Sequence, residues 1–576
     1  MERYAPSVPT DPARLGPSER ERNLDRFGSE RFDVVVIGGG ITGVGVALDA
    51  ASRGLTVALV EQRDLASGTS SRSSKLIHGG LRYLEQFDFK LVREALRERG
   101  LLLRLAPHLV SPMPFVYPLR HRVWERAYVG AGVALYDVMA SVGADNPLPR
   151  HRHLTKRRLL ETFPSLAPDA FVGGICYHDC ATDDARFVVA LARTAASRGA
   201  VIVTSIRAQG FLREGRHVAG VIAQCLETGR RLEIRARVVI NASGVWTDDV
   251  EQLAEDREQL VTASKGIHIV VPGDRIDAQA GLITKTRDSV LFVIPFDDRW
   301  LIGTTDTPWT LDKAHPAASS GDIDYLLGEV NSLLVKPLTR EDIIGVFAGL
   351  RPLVTGDAES TAKLSREHSI TRPAPGLVTV AGGKFTTYRV MAEDAVDEAT
   401  RDFSRRPPPT RTDRIPIHGS AGFAATWESR AGLVAEHGVA LSLIEHLLRR
   451  HGSDAERILE LAAADEALTA PIDATTPYIA AEVAWAVSHE AALHLDDVLT
   501  RRTRISIETQ DRGIAAAEQT VRLMAPILGW DRADIERELV HYEGRVAAER
   551  ESQTKPDDRT ADAARMGAPD IRTLGS

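Results

Sequence analysis

Residues 38–43 read Gly-Gly-Gly-Ile-Thr-Gly and place Gly38, Gly40 and Gly43 at GxGxxG spacing, with Glu61 at the end of the next apolar run. Each glycine has its own physical reason. Gly38 permits a tight strand-to-helix turn, Gly40 lets the backbone approach a pyrophosphate, and Gly43 lets helix and strand pack closely. A pyrophosphate so placed sits on a helix N-terminus, where N–H groups and the helix dipole favour an anion. A carboxylate at Glu61 accepts hydrogen bonds from ribose hydroxyls and repels a 2′-phosphate. The chemistry implied is binding of an adenine dinucleotide other than NADP.

The flanking elements suit that chemistry. Val34, Val35, Val36 and Ile37 form an apolar run typical of a buried parallel strand. Val44, Ala47, Leu48 and Ala51 then fall on one helical face, and residues 55–60 give a second apolar strand after Gly54. This is a βαβ unit. The motif does not choose between FAD and NAD. The next segment, 64–74, is rich in hydroxyls and backbone donors, and it reads either as a wrap for a flavin's ribityl chain and diphosphate or as a flexible Ser-rich loop.

Further along, 201–206, 238–241 and 377–381 read as short strands, and 290–295 and 300–305 as an antiparallel hairpin. A helix is expected from about Thr387. A parallel nucleotide-binding sheet interleaved with a mainly antiparallel substrate sheet is therefore expected over 31–405. Residues 405–409, Arg-Arg-Pro-Pro-Pro, read as a linker. A helical domain is expected over 411–548, with helices near 433–450, 454–464, 478–492 and 514–527. The ends, 1–30 and 549–576, read as disordered tails.

Composition narrows the class. The 576 residues carry a formal net charge of -8, which argues against nucleic-acid binding by bulk electrostatics. Cys176, Cys180 and Cys225 have neither disulfide-scaffold nor zinc-site spacing and read as structural thiols, with no metal site expected. No apolar run reaches membrane-spanning length, and 1–30 lacks the apolar core of a secretory signal.

Residues 74–85, Ser-Lys-Leu-Ile-His-Gly-Gly-Leu-Arg-Tyr-Leu-Glu, follow the Ser-rich run. Together with 178–186, 241–246, 265–272, 302–306, 349–353, 382–389 and 489–503, they make the chain resemble the FAD-dependent, respiratory glycerol-3-phosphate dehydrogenases over about 32–545. Ser243, Val245 and Ile267 depart from the usual Thr, Pro and Ser. The resemblance implies an α/β fold: a Rossmann-like FAD domain interleaved with a D-amino-acid-oxidase-like antiparallel domain, plus the helical domain. It implies FAD held by Gly38, Gly40, Gly43, Glu61, Thr69, Ser70, Ser71, Ser74, Gly79, Gly80, Ala242, Gly244, Trp246, Gly383, Lys384 and Thr386.

The implied reaction oxidises sn-glycerol 3-phosphate to dihydroxyacetone phosphate, with a hydride passing to flavin N5. Arginine suits the phosphate because its planar fork makes paired charge-assisted bonds; Arg82, Arg351 and Arg366 sit in matching motifs, with Tyr83 nearby. His268 is the candidate base, since an imidazole titrates near neutral pH, and Lys384 is its rival. His78 either packs under the flavin or caps a turn. A membrane quinone is the implied acceptor, with peripheral attachment to the cytoplasmic side; a homodimer is among the expectations. Residues 120–126, basic with a Trp, precede an apolar stretch suited either to a bilayer interface or to a solvated face. An oxygen-using glycerol-3-phosphate oxidase, a non-catalytic flavin module and an amine oxidase are the competing readings.

Overall fold

The computed structural model describes residues 11–84, 88–141, 148–254, 259–286, 290–355 and 367–572. Val34, Val35 and Val36 are completely buried in the strand Arg31–Ile37. That strand lies between Arg231–Asn241 and Val57–Val60, both parallel to it. The sheet extends through Val201–Val203 on one side and Leu377–Gly382 on the other, with His368–Ala374 antiparallel at the edge. Burying each such aliphatic side chain contributes about 1.5–3 kcal/mol, so continuous apolar runs become central strands. The helix Ile41–Ser52 packs against Tyr388–Ala399 so closely that a Cβ on Gly45 would lie 2.7 Å from the Tyr388 ring.

The second sheet is antiparallel except where Gly281–Lys285 pairs in parallel with Val110–Leu119. Its long strand Val261–Pro272 lies between Arg299–Gly303 and Gly345–Val354. The expected hairpin is present as Val290–Phe296 and Arg299–Gly303. The expected helix over 433–450 is broken, because Gly438 adopts a left-handed conformation between Arg430–His437 and Leu441–His451. The other three appear as Ala455–Ala464, Ala480–His489 and Ile514–Leu528.

Both expected tails are corrected by the structure. Pro17–Ser29 is a helix that buries Leu24 and Phe27, the latter edge-on to Phe32 at 6.1 Å. Its Arg- and Glu-rich composition conceals two apolar residues three apart, enough to anchor one face. At the other end, Arg532–Ser552 continues past 548 and Asp558–Arg565 forms a further helix. The buried Arg572 donates to both carboxylate oxygens of Asp497 at 2.8 and 2.7 Å. A paired, buried arginine fixes a segment that composition alone marks as solvated. Residues 1–10 and 573–576 lie outside the described residues. No single described helix is long and apolar enough to cross a membrane.

Candidate active site

A cavity of about 490 Å³ opens between the two sheets, within the usual range for small-molecule sites. At one end lies the glycine turn. Gly38 takes φ +117°, where a side chain would be strained, and a Cβ on Gly43 would lie 2.0 Å from the Gly38 carbonyl oxygen. Both glycines therefore serve the geometry the motif requires. The helix beginning at Ile41 directs its N-terminus at the cavity, with Gly40 and Thr42 on the wall. Gly39 N–H donates to the Glu61 carboxylate at 2.6 Å, and Arg63 N–H donates to it at 2.8 Å. Burial pushes the Glu61 carboxyl up, against these two donors.

The Ser-rich segment is an ordered wall. Ser70 Oγ accepts from Ile41 N–H at 3.0 Å and caps the helix N-terminus. Thr69 Oγ1 donates to Leu350 O at 2.7 Å and ties the segment to the antiparallel sheet. Asp184 accepts from Ser73 N–H, Ser73 Oγ and Lys75 Nζ at 3.0, 2.7 and 2.6 Å. From the helical domain, Arg501 and Arg502 grip Asp64 at 2.6 to 2.8 Å. A segment held by so many charge-assisted bonds is pre-organised rather than flexible.

His268 faces the cavity from the middle of Val261–Pro272, opposite Gly303 on one side and Phe347 on the other. Its ring stacks on Phe347 with centroids 4.8 Å apart, and a Cβ on Gly303 would lie 2.3 Å from its Cδ2. Nε2 is hydrogen-bonded to Ser74 Oγ at 2.9 Å, while the buried Nδ1 has no partner among the described residues. Burial, with the Arg351 and Lys75 cations, pulls the imidazole down to about 3. It is therefore neutral at physiological pH and able to accept a proton.

Arg351 is held beside it. Its Nη2 donates to Thr304 Oγ1 at 2.9 Å and Thr305 O at 3.1 Å, and its Nη1 lies 3.4 Å from Asp306. Lys384 places Nζ 3.9 Å over the Tyr83 ring. Gly382 and Gly383, both at positive φ, turn the chain so that Phe385–Thr387 and the helix after it start at the cavity. Gly80, Tyr83, Ala242, Gly244, Trp246 and Thr386 line the same space. Ser71, Gly79 and Gly43 stand one layer back: Ser71 O accepts from Lys75 Nζ at 3.2 Å, and Gly79 N–H donates to Tyr136 Oη at 2.8 Å. His78 also lines the cavity, and its backbone N–H donates to Thr386 Oγ1 at 3.3 Å. Arg366 and the side chain of Arg82 lie outside the described residues.

Several wall residues were not singled out from the sequence. Arg63 and Arg72 both donate to the Ala314 carbonyl at 3.2 Å. Burial and neighbouring Arg63 lower Arg72 to about 9. Asp306 and Thr304 belong to a matched motif, but only the fold brings them to Arg351. The stacking of Phe347 on His268 depends on strand register, which no local pattern reports.

The glycine turn, the Glu61 carboxylate at the strand end and the long cavity beyond them define a dinucleotide-dependent flavoprotein. Two family profiles match the chain: "FAD dependent oxidoreductase" over 33–398 and "C-terminal domain of alpha-glycerophosphate oxidase" over 410–535. The chain is 51% identical over 562 residues to glycerol-3-phosphate dehydrogenase 2 of Mycobacterium tuberculosis, covering 97% of this chain and 96% of that one. It is 36% identical to the human mitochondrial glycerol-3-phosphate dehydrogenase, covering 93% and 76%. The crystal structure of the Bacillus halodurans glycerol-3-phosphate dehydrogenase complexed with FAD superposes with a TM-score of 0.77 at 28% identity, covering 92% and 97%. The chain belongs to the FAD-dependent oxidoreductase family, and within it to the glycerol-3-phosphate dehydrogenases.

Proposed function

We propose that the chain oxidises sn-glycerol 3-phosphate to dihydroxyacetone phosphate and passes the two electrons to a membrane quinone, working as a peripheral protein on the cytoplasmic side. The observation that carries this reading is a neutral imidazole and an arginine side by side at one end of a dinucleotide cavity. The substrate needs both. Its phosphate calls for a planar cation, and its secondary hydroxyl must lose a proton as the carbon loses a hydride.

Gly38, Gly40, Gly43, Glu61 and the Thr69–Ser71 turn are suited to holding the adenosine diphosphate half of FAD; Ala242, Gly244, Trp246, Gly383 and Thr386 are suited to the flavin half. When bound, FAD supplies the hydride acceptor. His268 takes the hydroxyl proton, with Ser74 fixing its ring. Arg351 binds the phosphate: its contacts at 3.4 and 3.5 Å to Asp306 and Ser264 are long enough to yield to a phosphate oxygen. Lys384, close to Tyr83, supports negative charge at the site or competes as base. Arg82 and Arg366 complete the proposed phosphate set.

Oxygen as acceptor is the second reading, favoured by the oxidase-derived description of the 410–535 match. Turnover with a short-chain quinone, compared with hydrogen peroxide release in air, separates the two. Fast quinone reduction with little peroxide supports the dehydrogenase; the reverse overturns it.

A further inference from the structure

The helix Trp124–Ser141 carries two unlike faces. On one, Gly130, Val133, Tyr136 and Ala140 are buried. Tyr136 Oη accepts from Gly79 N–H at 2.8 Å and donates to Asp179 at 2.7 Å. Gly80 and Asp179 line the cofactor cavity, so the inner face of this helix backs the cavity wall.

The outer face is apolar and uncovered. Trp124, Tyr128, Leu135 and Val138 are 63%, 57%, 39% and 58% exposed. Their spacing of three, four and seven puts them on one stripe, opposite the buried residues. Ala127 and Ala131 lie exposed between them, and Val123, just before the helix, is 80% exposed. Single exposed apolar residues need no explanation, but a contiguous stripe of this kind marks an interaction surface.

The rim is basic. Arg120, His121 and Arg122 are exposed at the start of the helix, and Arg150 and Arg152 are exposed beside it. The strand Arg152–Thr155 lies against the helix: a Cβ on Gly130 would be 2.8 Å from the His153 ring. The nearby acids turn away from an outside partner. Glu125 accepts the N–H groups of Arg120 and His121 at 2.6 and 2.7 Å, and Asp137 holds His151 at 2.7 Å.

We infer that this face docks on an anionic lipid bilayer, with the helix lying in the interfacial plane and Trp124, Tyr128, Leu135 and Val138 entering the acyl boundary. An apolar stripe rimmed by arginine is the pattern of an interfacial helix, and anionic headgroups complement the rim. A second copy of the chain fits less well, because a two-fold contact would set the basic rim against itself. A helix with its side chains is roughly 10–12 Å across, so the docked bilayer is separated from the cavity wall by one helix. The link to electron transfer rests on the quinone reading above; the lipid contact itself does not.

The test uses the full-length, FAD-loaded chain, sedimented with vesicles of phosphatidylcholine alone or mixed equally with phosphatidylglycerol. The wild type is expected to partition onto the mixed vesicles, less onto phosphatidylcholine alone, and less at high salt. Trp124→Glu with Leu135→Glu is expected to weaken partitioning at least about tenfold while leaving flavin content and anaerobic reduction by substrate unchanged. Should that pair fail to fold, Arg120→Glu with Arg122→Glu, in the exposed segment before the helix, tests the same face in the same direction. Wild-type partitioning by both folded variants overturns the docking face and leaves peripheral attachment standing. No partitioning by the wild type overturns both. A variant that binds vesicles normally but loses self-association in sedimentation velocity assigns the face to a second copy and overturns the lipid proposal.

Discussion

Substitution of His268 by glutamine tests the chemistry most sharply. The imidazole sits between Phe347 and Gly303 with Ser74 at Nε2, and glutamine fills similar space without a basic nitrogen. A positioned base contributes about 10²–10⁴-fold, equivalent to about 3–5 kcal/mol of barrier. Stopped-flow reduction of the flavin by sn-glycerol 3-phosphate, without oxygen, is expected to slow by that factor while FAD content stays the same. The pH profile adds a second constraint. Burial and the Arg351 cation hold the free imidazole down near 3, so the base form is present above that value and is lost as pH falls through it. The His268 limb of kcat/KM should therefore lie near pH 3, leaving this contribution flat from about pH 5 to 8. Phosphate bound at Arg351 offsets that cation, so the limb in kcat should lie higher. Reduction of the glutamine variant within threefold of wild type would place the proton acceptor elsewhere. A wild-type kcat/KM limb near 6.5 that vanishes in the variant would refute the burial argument.

Other residues give separate readouts. Arg351→Ala should raise KM by roughly 10- to 150-fold for each phosphate bond lost, at about 1.5–3 kcal/mol each, with FAD retained; unchanged KM removes Arg351 from the phosphate site. Gly43→Val should give protein that fails to retain FAD, because even a Cβ would lie 2.0 Å from Gly38 O; a yellow, active variant contradicts the packing argument. Arg572→Ala leaves Asp497 and its neighbours with an unmatched buried charge, a loss of about 3–5 kcal/mol, and the thermal unfolding midpoint should fall by several degrees. An unchanged midpoint would show that the C-terminal segment is not part of the folded core.

How much of this was legible depended on whether the cause was local. The glycine turn and Glu61 are local: each residue answers to a steric or charge requirement within one βαβ unit, and each is found where the spacing placed it. The catalytic pairing is not local. His268 and Arg351 meet because two strands run antiparallel in one register, with Thr304 from a third strand's end between them. The motifs pointed to both residues but not to their partnership, nor to the depressed imidazole it creates. The misread ends fail for another reason. Leu24, Phe27 and Arg572 are isolated in segments of charged and small residues, and only long-range partners, such as Asp497 for Arg572, fix them. Arg72 was passed over as part of a polar loop, and its burial emerges only when the helical domain closes over that loop.

The central claim is tested most directly by anaerobic titration of the purified FAD-loaded protein with sn-glycerol 3-phosphate, followed through the flavin absorbance. The account predicts that the oxidised flavin bands bleach as substrate is added and that dihydroxyacetone phosphate appears in equal amount to the flavin reduced. A flavin spectrum unchanged at saturating substrate would contradict the substrate assignment while leaving the FAD fold in place.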